Sequence, residues 1–274
     1  MPGETLAQKI LSAHAGRPLS IGDLAVINVD YVLAHDTTTA WAIEPFQKIA
    51  ARVFDPKKIF IFFDHAFPAP NLQVAEMHRK IERFCREQGI KIHYDGVCHQ
   101  VMAERHTYPN AFLLGADSHT PTGGGIGAMC VGFGSTDAAV AMATGKIWVR
   151  VPQTIRINLE GRLPLGSYPK DVILGIAKQL SSEGANYRVV EFGGSAISDF
   201  DVPSRLTLTN MCAEIGAKTG IVPSDSQTRA YLERQNRYQP FKELRSDAGA
   251  EFGQVLDIDI SKTEPTLACP PDID

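Results

Sequence analysis

The sequence feature that most limits the possible folds is the run of residues 59–63, Ile-Phe-Ile-Phe-Phe, which follows two lysines. A strand exposed on one face alternates apolar and polar residues, so a run without alternation predicts a strand buried on both faces. Such strands belong to parallel sheets that helices cover on either side. Residues 38–53 and 71–88 flank this run and have helical patterns, so the sequence predicts an α/β fold with mostly parallel sheets.

Polar side chains recur where the predicted strands end. The strands expected at residues 24–32, 59–63, 90–94 and just before residue 115 are followed by His35-Asp36, Asp64-His65, His99 and Asp117-Ser118-His119. Because the carboxyl ends of parallel strands meet at one edge of a doubly wound sheet, we expect these side chains in one crevice. Imidazoles beside carboxylates predict an acid–base site there.

Two alternatives accompany this interpretation. Asp36 is also placed to cap the helix expected at residues 38–53, and that role alone would explain it. The remaining histidines lie within helical or strand patterns without a neighbouring carboxylate in the sequence, and we interpret them as surface or structural residues: His14, His78, His93 and His106.

A glycine-rich segment follows the Asp117-Ser118-His119 triplet. Its glycines, at positions 123, 124, 125 and 127, allow a tight turn and a close backbone approach. We expect a turn from strand to helix whose N–H groups approach an anion.

The second half of the chain begins a new set of strands and helices near residues 148–152, and we expect two units, 1–150 and 151–274. Within the second unit, Asn210 and Glu214 are four residues apart on a predicted helix and would share one face. The neighbours of Glu214 are apolar, which predicts a buried carboxylate that needs a partner, and a histidine of the first unit would serve. A solvent-facing polar pair is the alternative.

Composition excludes several classes of function. The formal net charge is -4, and Lys and Arg are spread along the chain, which argues against nucleic acid as the main ligand. No apolar run approaches the ~20 residues that cross a bilayer, so we expect a soluble cytoplasmic protein without membrane contact. The 5 cysteines include no CxxC pair, and we interpret each as a reduced, half-buried residue.

Longer stretches of this sequence resemble the aconitase superfamily, and within it the large subunits of the two-chain 3-isopropylmalate dehydratase and homoaconitase type. The resemblance extends along essentially the whole chain. It rests on HDTTTAW from His35, Phe63-Asp64-His65, Cys98-His99-Gln100, GADSHTPTGGGIGA from Gly115, VPQTIRINLEGRLP from Val151, PKDVIL from Pro169 and TNMCAEIGAKTGIVPSD from Thr209. It implies three-layer α/β/α domains of the aconitase type.

The resemblance also implies roles for individual residues. Asp64 and His65 would protonate the departing hydroxyl group. His99 and Asp117 would form a supporting pair, and His119 and Glu214 would orient water or hydroxyl. The positions that match residues lining the substrate or the cofactor are His35, Asp36, Ser118 and Asn210.

The cofactor implied by the resemblance is a [4Fe-4S] cluster whose open iron helps to remove and return water. The family's three cluster cysteines lie in a further domain, and none of the cysteines here falls at those positions, so we expect the metal ligands downstream of Asp274. The chain ends without a capping element and looks interrupted. The family's swivelling domain, a separate small subunit in two-chain enzymes, is missing as well. We therefore expect the isolated chain to be inactive.

Three classes of function follow. The leading hypothesis is the large-subunit part of a hydro-lyase of leucine biosynthesis that needs a cluster domain and a small subunit and acts on a small carboxylate. Homoaconitate, aconitate, methylcitrate-type and dimethylmalate-type substrates remain open. The second class is a non-catalytic relic or carboxylate-binding module. The third, RNA binding, is disfavoured by the negative net charge.

Overall fold

The computed structural model describes residues 3–238, 241, 243–270 and 273. The helices are α1 Leu6–Ala15, α2 Thr38–Ile49, α3 Leu72–Gln88, α4 Cys98–Arg105, α5 Ser135–Thr144, α6 Pro169–Leu180, α7 Ser195–Asp199, α8 Val202–Asn210 and α9 Ser226–Arg234. The strands are β1 Leu24–Asn28, β2 Tyr31–His35, β3 Ile59–Phe62, β4 Ile92–His93, β5 Phe112–Gly115, β6 Met129–Gly132, β7 Lys146–Arg150, β8 Thr154–Glu160, β9 Val189–Gly193, β10 Thr219–Ile221 and β11 Gln254–Asp259. Short 3-10 helices cover Pro56–Lys58, Thr120–Ile126, Met211–Ile215 and Ile260–Lys262.

The first sheet has the strand order β4-β3-β2-β5-β6, and each neighbouring pair is parallel. Every residue of β3 is buried, so the prediction of a strand covered on both faces is confirmed. Successive residues contribute to different cores: Ile59 and Ile61 pack with α1, α2 and α5, whereas Phe60 and Phe62 pack with α4. The sheet is the middle layer of an α/β/α arrangement, as predicted.

Two predicted strands are wrong in their extent, and the strand expected at residues 90–94 covers only Ile92–His93. Residues 24–32 form parts of two strands, because the chain leaves β1 after Asn28 and enters the first sheet at Tyr31. β1 instead pairs with β7 in an antiparallel ribbon, in which Val26 lies opposite Trp148. Leu24 and Val26 are apolar but exposed, so the sequence pattern looks continuous across the break.

The second sheet has the order β10-β9-β8-β11, again with parallel pairs. One face packs on α6 and α8 through a core that includes Ile155, Ile157 and Phe192. α3 matches the helix expected at residues 71–88, whereas α2 ends at Ile49, before the expected residue 53. Gly16 and Gly89 end α1 and α3 in the left-handed conformation. Among the described residues, no helix combines the length and apolar character required to span a bilayer.

A buried carboxylate ties the start of the chain to the second sheet. Glu191, on β9, is fully buried and accepts hydrogen bonds from Arg156 Nη1 at 2.7 Å and from Ser246 Oγ at 2.7 and 2.8 Å. The backbone N–H of Leu6, at the first residue of α1, also donates to Glu191 at 3.4 Å. Burial raises the pKa of Glu191, and these donors only partly offset it.

The glycine-rich segment forms a contact between the two sheets. It folds as the buried 3-10 helix Thr120–Ile126 and lies against α8 and β10. A Cβ atom on Gly124 would lie 1.8 Å from the carbonyl oxygen of Gly220, and one on Gly125 would lie 2.6 Å from the backbone nitrogen of Leu206. The close neighbour of Gly124 and of Gly125 is therefore protein backbone, and the approach of these glycines to an anion stays a prediction. We call this contact the glycine seam.

Candidate active site

Asp117 is the centre of the predicted acid–base cluster. It follows the end of β5, and its side chain is 9% exposed. His99 Nε2 lies 2.7 Å from Oδ1, His65 Nε2 lies 3.1 Å from Oδ2, and the backbone N–H of His119 donates to Oδ1 at 2.7 Å. Burial alone would raise the pKa of Asp117, but the hydrogen bonds from His65 and His99 outweigh it and hold the pKa far below its ordinary value.

His65 lies between two carboxylates. Its Nδ1 is 2.8 Å from Asp64 Oδ1 while its Nε2 faces Asp117. Hydrogen bonds to Asp117 and then Asp64 outweigh burial and raise the pKa of His65 to about 10. At neutral pH the ring is therefore an imidazolium that donates from both nitrogens. Asp64 is itself held in place by the backbone N–H of Cys98, at 2.6 Å, at the start of α4.

His35 and Asp36 differ in their relation to this cluster. The His35 ring stacks on that of His65 with 3.7 Å between centroids, and its Nε2 lies 3.7 Å from Asp117 Oδ2. Asp36 is fully buried, and its Oδ2 accepts the backbone N–H of Ala66 at 2.8 Å. Asp36 does not cap α2, since the cap position is Thr37. It instead fixes the backbone beside His65.

A second acid–base pair joins the two sheets. His119 Nε2 lies 3.0 Å from Glu214 Oε1, and Ser118 Oγ lies 3.1 Å from His119 Nδ1. The sequence predicted a histidine partner for Glu214, and the structure places one there. The predicted burial of Glu214 is wrong, because its side chain is 41% exposed.

Asn210 and Glu214 do not share a regular helix. α8 ends at Asn210, and the chain tightens into the 3-10 helix Met211–Ile215 before Gly216 turns it in the left-handed conformation. Asn210 Nδ2 donates to Thr122 Oγ1 at 2.7 Å, and Thr122 Oγ1 donates to the carbonyl of His119 at 2.6 Å. Sequence reasoning missed Thr122, although its hydroxyl lies only three residues after His119.

A cavity of 640 Å³ adjoins these groups, and we call it the crevice. Among the predicted site residues, His35, Asp117 and Ser118 line it. Lys218 lines it too and was not identified from the sequence, where it is an isolated lysine before a short strand. The four histidines interpreted as surface or structural lie outside the cluster. His14 and His78 have carboxylates nearby in space that are distant in the sequence, and His93 lies near Asp95, two residues further along the chain.

The cluster does not suit a single metal ion. One ligand atom each from His35, His65 and Asp117 lies within 4.8 Å of the others. However, the two imidazole rings are stacked at 12°, so their in-plane lone pairs run side by side and do not converge on one point. The second such group, Asp64, His65 and Cys98, contains a buried thiol whose pKa burial raises, which disfavours the thiolate that metals require.

The described residues also do not fit a [4Fe-4S] cluster, which requires thiolate ligands close together. Cys85, Cys98, Cys130 and Cys212 are buried, Cys269 is exposed, and within the described ranges no two of them join one candidate metal group. Burial raises the pKa of each buried thiol, that of Cys85 to about 12.

The fold and this geometry define an α/β protein in which the carboxyl edge of a parallel sheet holds an imidazolium between two carboxylates, next to a second histidine–carboxylate pair. The sequence profile of the aconitase family (aconitate hydratase) matches residues 8–273, and the chain belongs to that family.

Individual relatives agree with this assignment. The chain is 40% identical over 274 residues to 3-isopropylmalate dehydratase large subunit 1 of Thermotoga maritima, covering 99% of this chain and 66% of that protein. The proteins of the same name from Methanopyrus kandleri and Pyrococcus furiosus are 41% and 42% identical, with 98% of this chain and 65% of each relative covered. The chain thus spans slightly less than two thirds of the length of these relatives.

A solved structure is also similar. The holo-form of Thermococcus kodakaraensis aconitase X matches with a TM-score of 0.48 and 13% identity, covering 93% of this chain and 62% of that one.

Proposed function

We propose that this chain is the large-subunit part of a hydro-lyase that removes water from a 2-hydroxy di- or tricarboxylate and adds it back. The observation that carries the proposal is the imidazolium of His65, fixed between Asp64 and Asp117 beside the crevice. The names of the relatives favour 3-isopropylmalate as the substrate, and with it a role in leucine biosynthesis. Homoaconitate, aconitate, methylcitrate-type and dimethylmalate-type acids are the alternatives.

In this proposal His65 is the general acid. Asp64 holds the Nδ1–H, so the Nε2–H, which faces Asp117, is the proton that a substrate hydroxyl reaching this side of the His65 ring would receive. Loss of that proton leaves a neutral ring with Nδ1–H still donated to Asp64, and the same nitrogen can recover the proton when water adds back. His99 keeps Asp117 in position through its 2.7 Å contact.

The second pair handles water in the same proposal. His119 and Glu214 come from the segments after β5 and after α8 and are each more than a third exposed, so a water or hydroxyl can reach both. Ser118 and His35 contribute polar atoms to the crevice wall, and Asn210 is held by Thr122. Asp36 positions the backbone next to His65.

The proposal includes groups from outside the described residues. A [4Fe-4S] cluster would supply Lewis acidity that weakens the bond to the leaving hydroxyl. Its ligands, a cluster-binding domain and a small subunit would come from other parts of the complete enzyme, as the large-subunit names of the relatives suggest. The division into units 1–150 and 151–274, a cytoplasmic location and the absence of nucleic-acid and membrane partners belong to the same proposal.

A second candidate is a carboxylate-binding module without catalysis. The observation that favours it is that the described residues bring no set of cysteine thiolates together. The acid–base cluster would then hold a carboxylate ligand without turnover.

The test is turnover by the complex that contains this chain, purified without oxygen from its source. Dehydration of 3-isopropylmalate and of the alternative acids is followed by the absorbance of the alkene product. We expect turnover, and we expect His65→Ala to reduce it by ~10²–10⁴-fold without altering the iron content of the complex. His14→Gln, which alters a histidine paired with Asp30 outside the crevice, should keep turnover near normal.

Two results would contradict the proposal. Near-normal turnover of His65→Ala would remove His65 from the acid role. A complex that binds the acids but dehydrates none of them would support the carboxylate-binding module.

A further inference from the structure

A second, smaller cavity lies where the first sheet, the β1–β7 ribbon and the start of the second sheet meet. Its volume is 140 Å³, and we call it the junction cavity. Side chains of the first sheet form its floor, namely Phe112, Met129 and Val131, all of which are almost fully buried. Trp148 and Tyr187 line it from the ribbon and from the segment before β9. A floor of this kind accepts an apolar group.

Lys218 gives this apolar cavity a cation. Its Nζ lies 4.5 Å from the ring centroid of Phe133 and 5.4 Å from that of Tyr187. Across the described ranges, Lys218 forms no ion pair within 4.0 Å. Burial lowers the pKa of Lys218, and the charge of Asp137 partly offsets this. A half-buried ammonium group that lies over two aromatic rings and has no ion pair among the described residues favours an added anion.

The net charge of the residues that line the junction cavity also favours an anion. Arg150 and Lys218 are cationic and Asp137 is anionic, so the junction cavity has an excess of one positive charge. Within the described part of the chain, Arg150 also lacks a carboxylate within 4.0 Å. An amine of the same shape would meet two cations and a single carboxylate.

We propose that the junction cavity binds a small apolar carboxylate, with its hydrocarbon tail on Phe112, Met129 and Val131 and its carboxylate on Lys218. A dry apolar cavity of about 150 Å³ accepts benzene, so the tail should have about four to six carbons. The site differs from the crevice, although Phe133, Asp137 and Lys218 line both. The proposal does not depend on the hydro-lyase function.

Tryptophan fluorescence offers a direct test, because the chain has 2 tryptophans and only Trp148 lines the junction cavity. In a Trp41→Phe background, Trp148 becomes the single reporter. The probe is 3-methylbutanoate, and 3-methylbutylamine serves as a probe of the same shape with the opposite charge. We expect a saturable change with the carboxylate and none with the amine.

Matched lysine variants then test the role of Lys218. Lys218→Met keeps the length of the side chain and removes its charge, and it should weaken binding of 3-methylbutanoate by about tenfold or more. Lys57→Met, at an exposed lysine ahead of β3, should leave binding unchanged. If Lys218→Met does not fold, Lys218→Arg should retain binding, and the Met129 methyl NMR signal of the parent protein should shift on titration.

The proposal is overturned if the carboxylate produces no saturable change, or if the amine binds equally well. Binding that is the same in Lys218→Met as in Lys57→Met would also overturn it. A titration with 3-methylbutanoate that leaves the Met129 methyl NMR signal unshifted would overturn it as well.

Discussion

His65 owes its charge to two carboxylates on opposite sides of one ring. Asp64 is its neighbour in the sequence, whereas Asp117 is 52 residues away and reaches the ring from the end of another strand. An imidazole held in this way is a proton donor at neutral pH, and the directions of both of its N–H bonds are fixed. The donor role proposed for His65 therefore depends on both carboxylates.

This arrangement predicts a dependence of stability on pH. The pKa of His65 rises from 6.5 in the unfolded chain to about 10 in the folded protein, so the folded state binds the proton more tightly. The resulting stabilisation is fully present below pH 6.5 and is lost as the pH rises toward 10. We expect the free energy of unfolding of the parent chain to fall more between pH 6.5 and 9.5 than that of His65→Gln, as measured by urea denaturation.

Ionisation of the buried thiols affects both proteins in that experiment and cancels in the difference between them. Equal slopes in the parent chain and in His65→Gln would show that the two carboxylates do not raise the pKa of His65.

Glu214 should matter for turnover and little for stability. Its contact with His119 is 3.0 Å long, but both side chains are more than a third exposed, and exposed ion pairs contribute little. We expect Glu214→Gln to lower turnover of the assembled complex while the free energy of unfolding changes by less than about 0.5 kcal/mol. An unchanged rate would make Glu214 a structural carboxylate.

The limits of sequence reasoning at this scale are physical. The pair Asp64–His65 was predictable from its adjacency in the sequence. A histidine partner for Glu214 was predicted too, although the burial from which it was argued is wrong. The sharing of Asp117 between His65 and His99 was not predictable, since it depends on the directions of side chains that follow β3 and β5 and begin α4. Thr122 and Lys218 were missed because a single hydroxyl or ammonium group produces no periodic pattern in the sequence.

At the scale of elements, the close backbone contact in the glycine seam explains why Gly124 and Gly125 have no side chains. The 3-10 helix Thr120–Ile126 begins directly after His119 and lies against α8 and β10, so His119 is within reach of Glu214, which follows α8. The Val222 N–H donates to the Gly124 carbonyl at 3.0 Å, so the contact is also hydrogen-bonded. The seam therefore sets the geometry of the second acid–base pair.

Two glycine substitutions should act in opposite directions. Gly124→Ala would place a methyl group 1.8 Å from the Gly220 carbonyl oxygen, and we expect destabilisation of about 3 kcal/mol or more. Gly175→Ala, within α6, meets no atom within 4 Å and should stabilise the protein by roughly 0.5–1 kcal/mol. Urea denaturation of both variants measures the difference. An unchanged free energy of unfolding in Gly124→Ala would contradict the direct backbone contact in the glycine seam.

Elements were predicted well where one periodicity extends through the whole segment. The buried β3 and the amphipathic α3 are examples. The break between β1 and β2 and the course of the glycine segment were not predictable, because both depend on partners distant in the sequence. A glycine that permits a turn and one that permits backbone contact look identical in a single sequence.

For the molecule as a whole, Glu191 joins parts of the chain that are far apart. It receives donors from the first residue of α1, from β8 and from Ser246. Glu191 is fully buried and pairs with Arg156. Loss of the Glu191 side chain would therefore leave the Arg156 guanidinium without its carboxylate partner.

We expect Glu191→Ala to destabilise the protein by about 3–5 kcal/mol, because removing one partner leaves a largely buried charge unpaired. Hydrogen exchange should increase first at the start of α1, because Ser246 Oγ, which accepts the Leu6 N–H at 2.7 Å, loses the Glu191 carboxylate that holds it. Glu233→Ala, on the exposed side of α9, is the control and should change stability by less than about 0.5 kcal/mol. Similar values for the two variants would contradict the joining role of Glu191.

The glycine seam has a consequence for motion. Two backbones in direct contact, with a hydrogen bond between them, leave little room for the sheets to slide or hinge against each other. We therefore expect the backbones that carry His119 and Glu214 to keep a constant separation. Many enzymes admit substrate by closing one domain onto another. In the hydro-lyase proposed above, the two sheets would therefore form a fixed part of the site, and closure of one sheet onto the other would not admit the substrate.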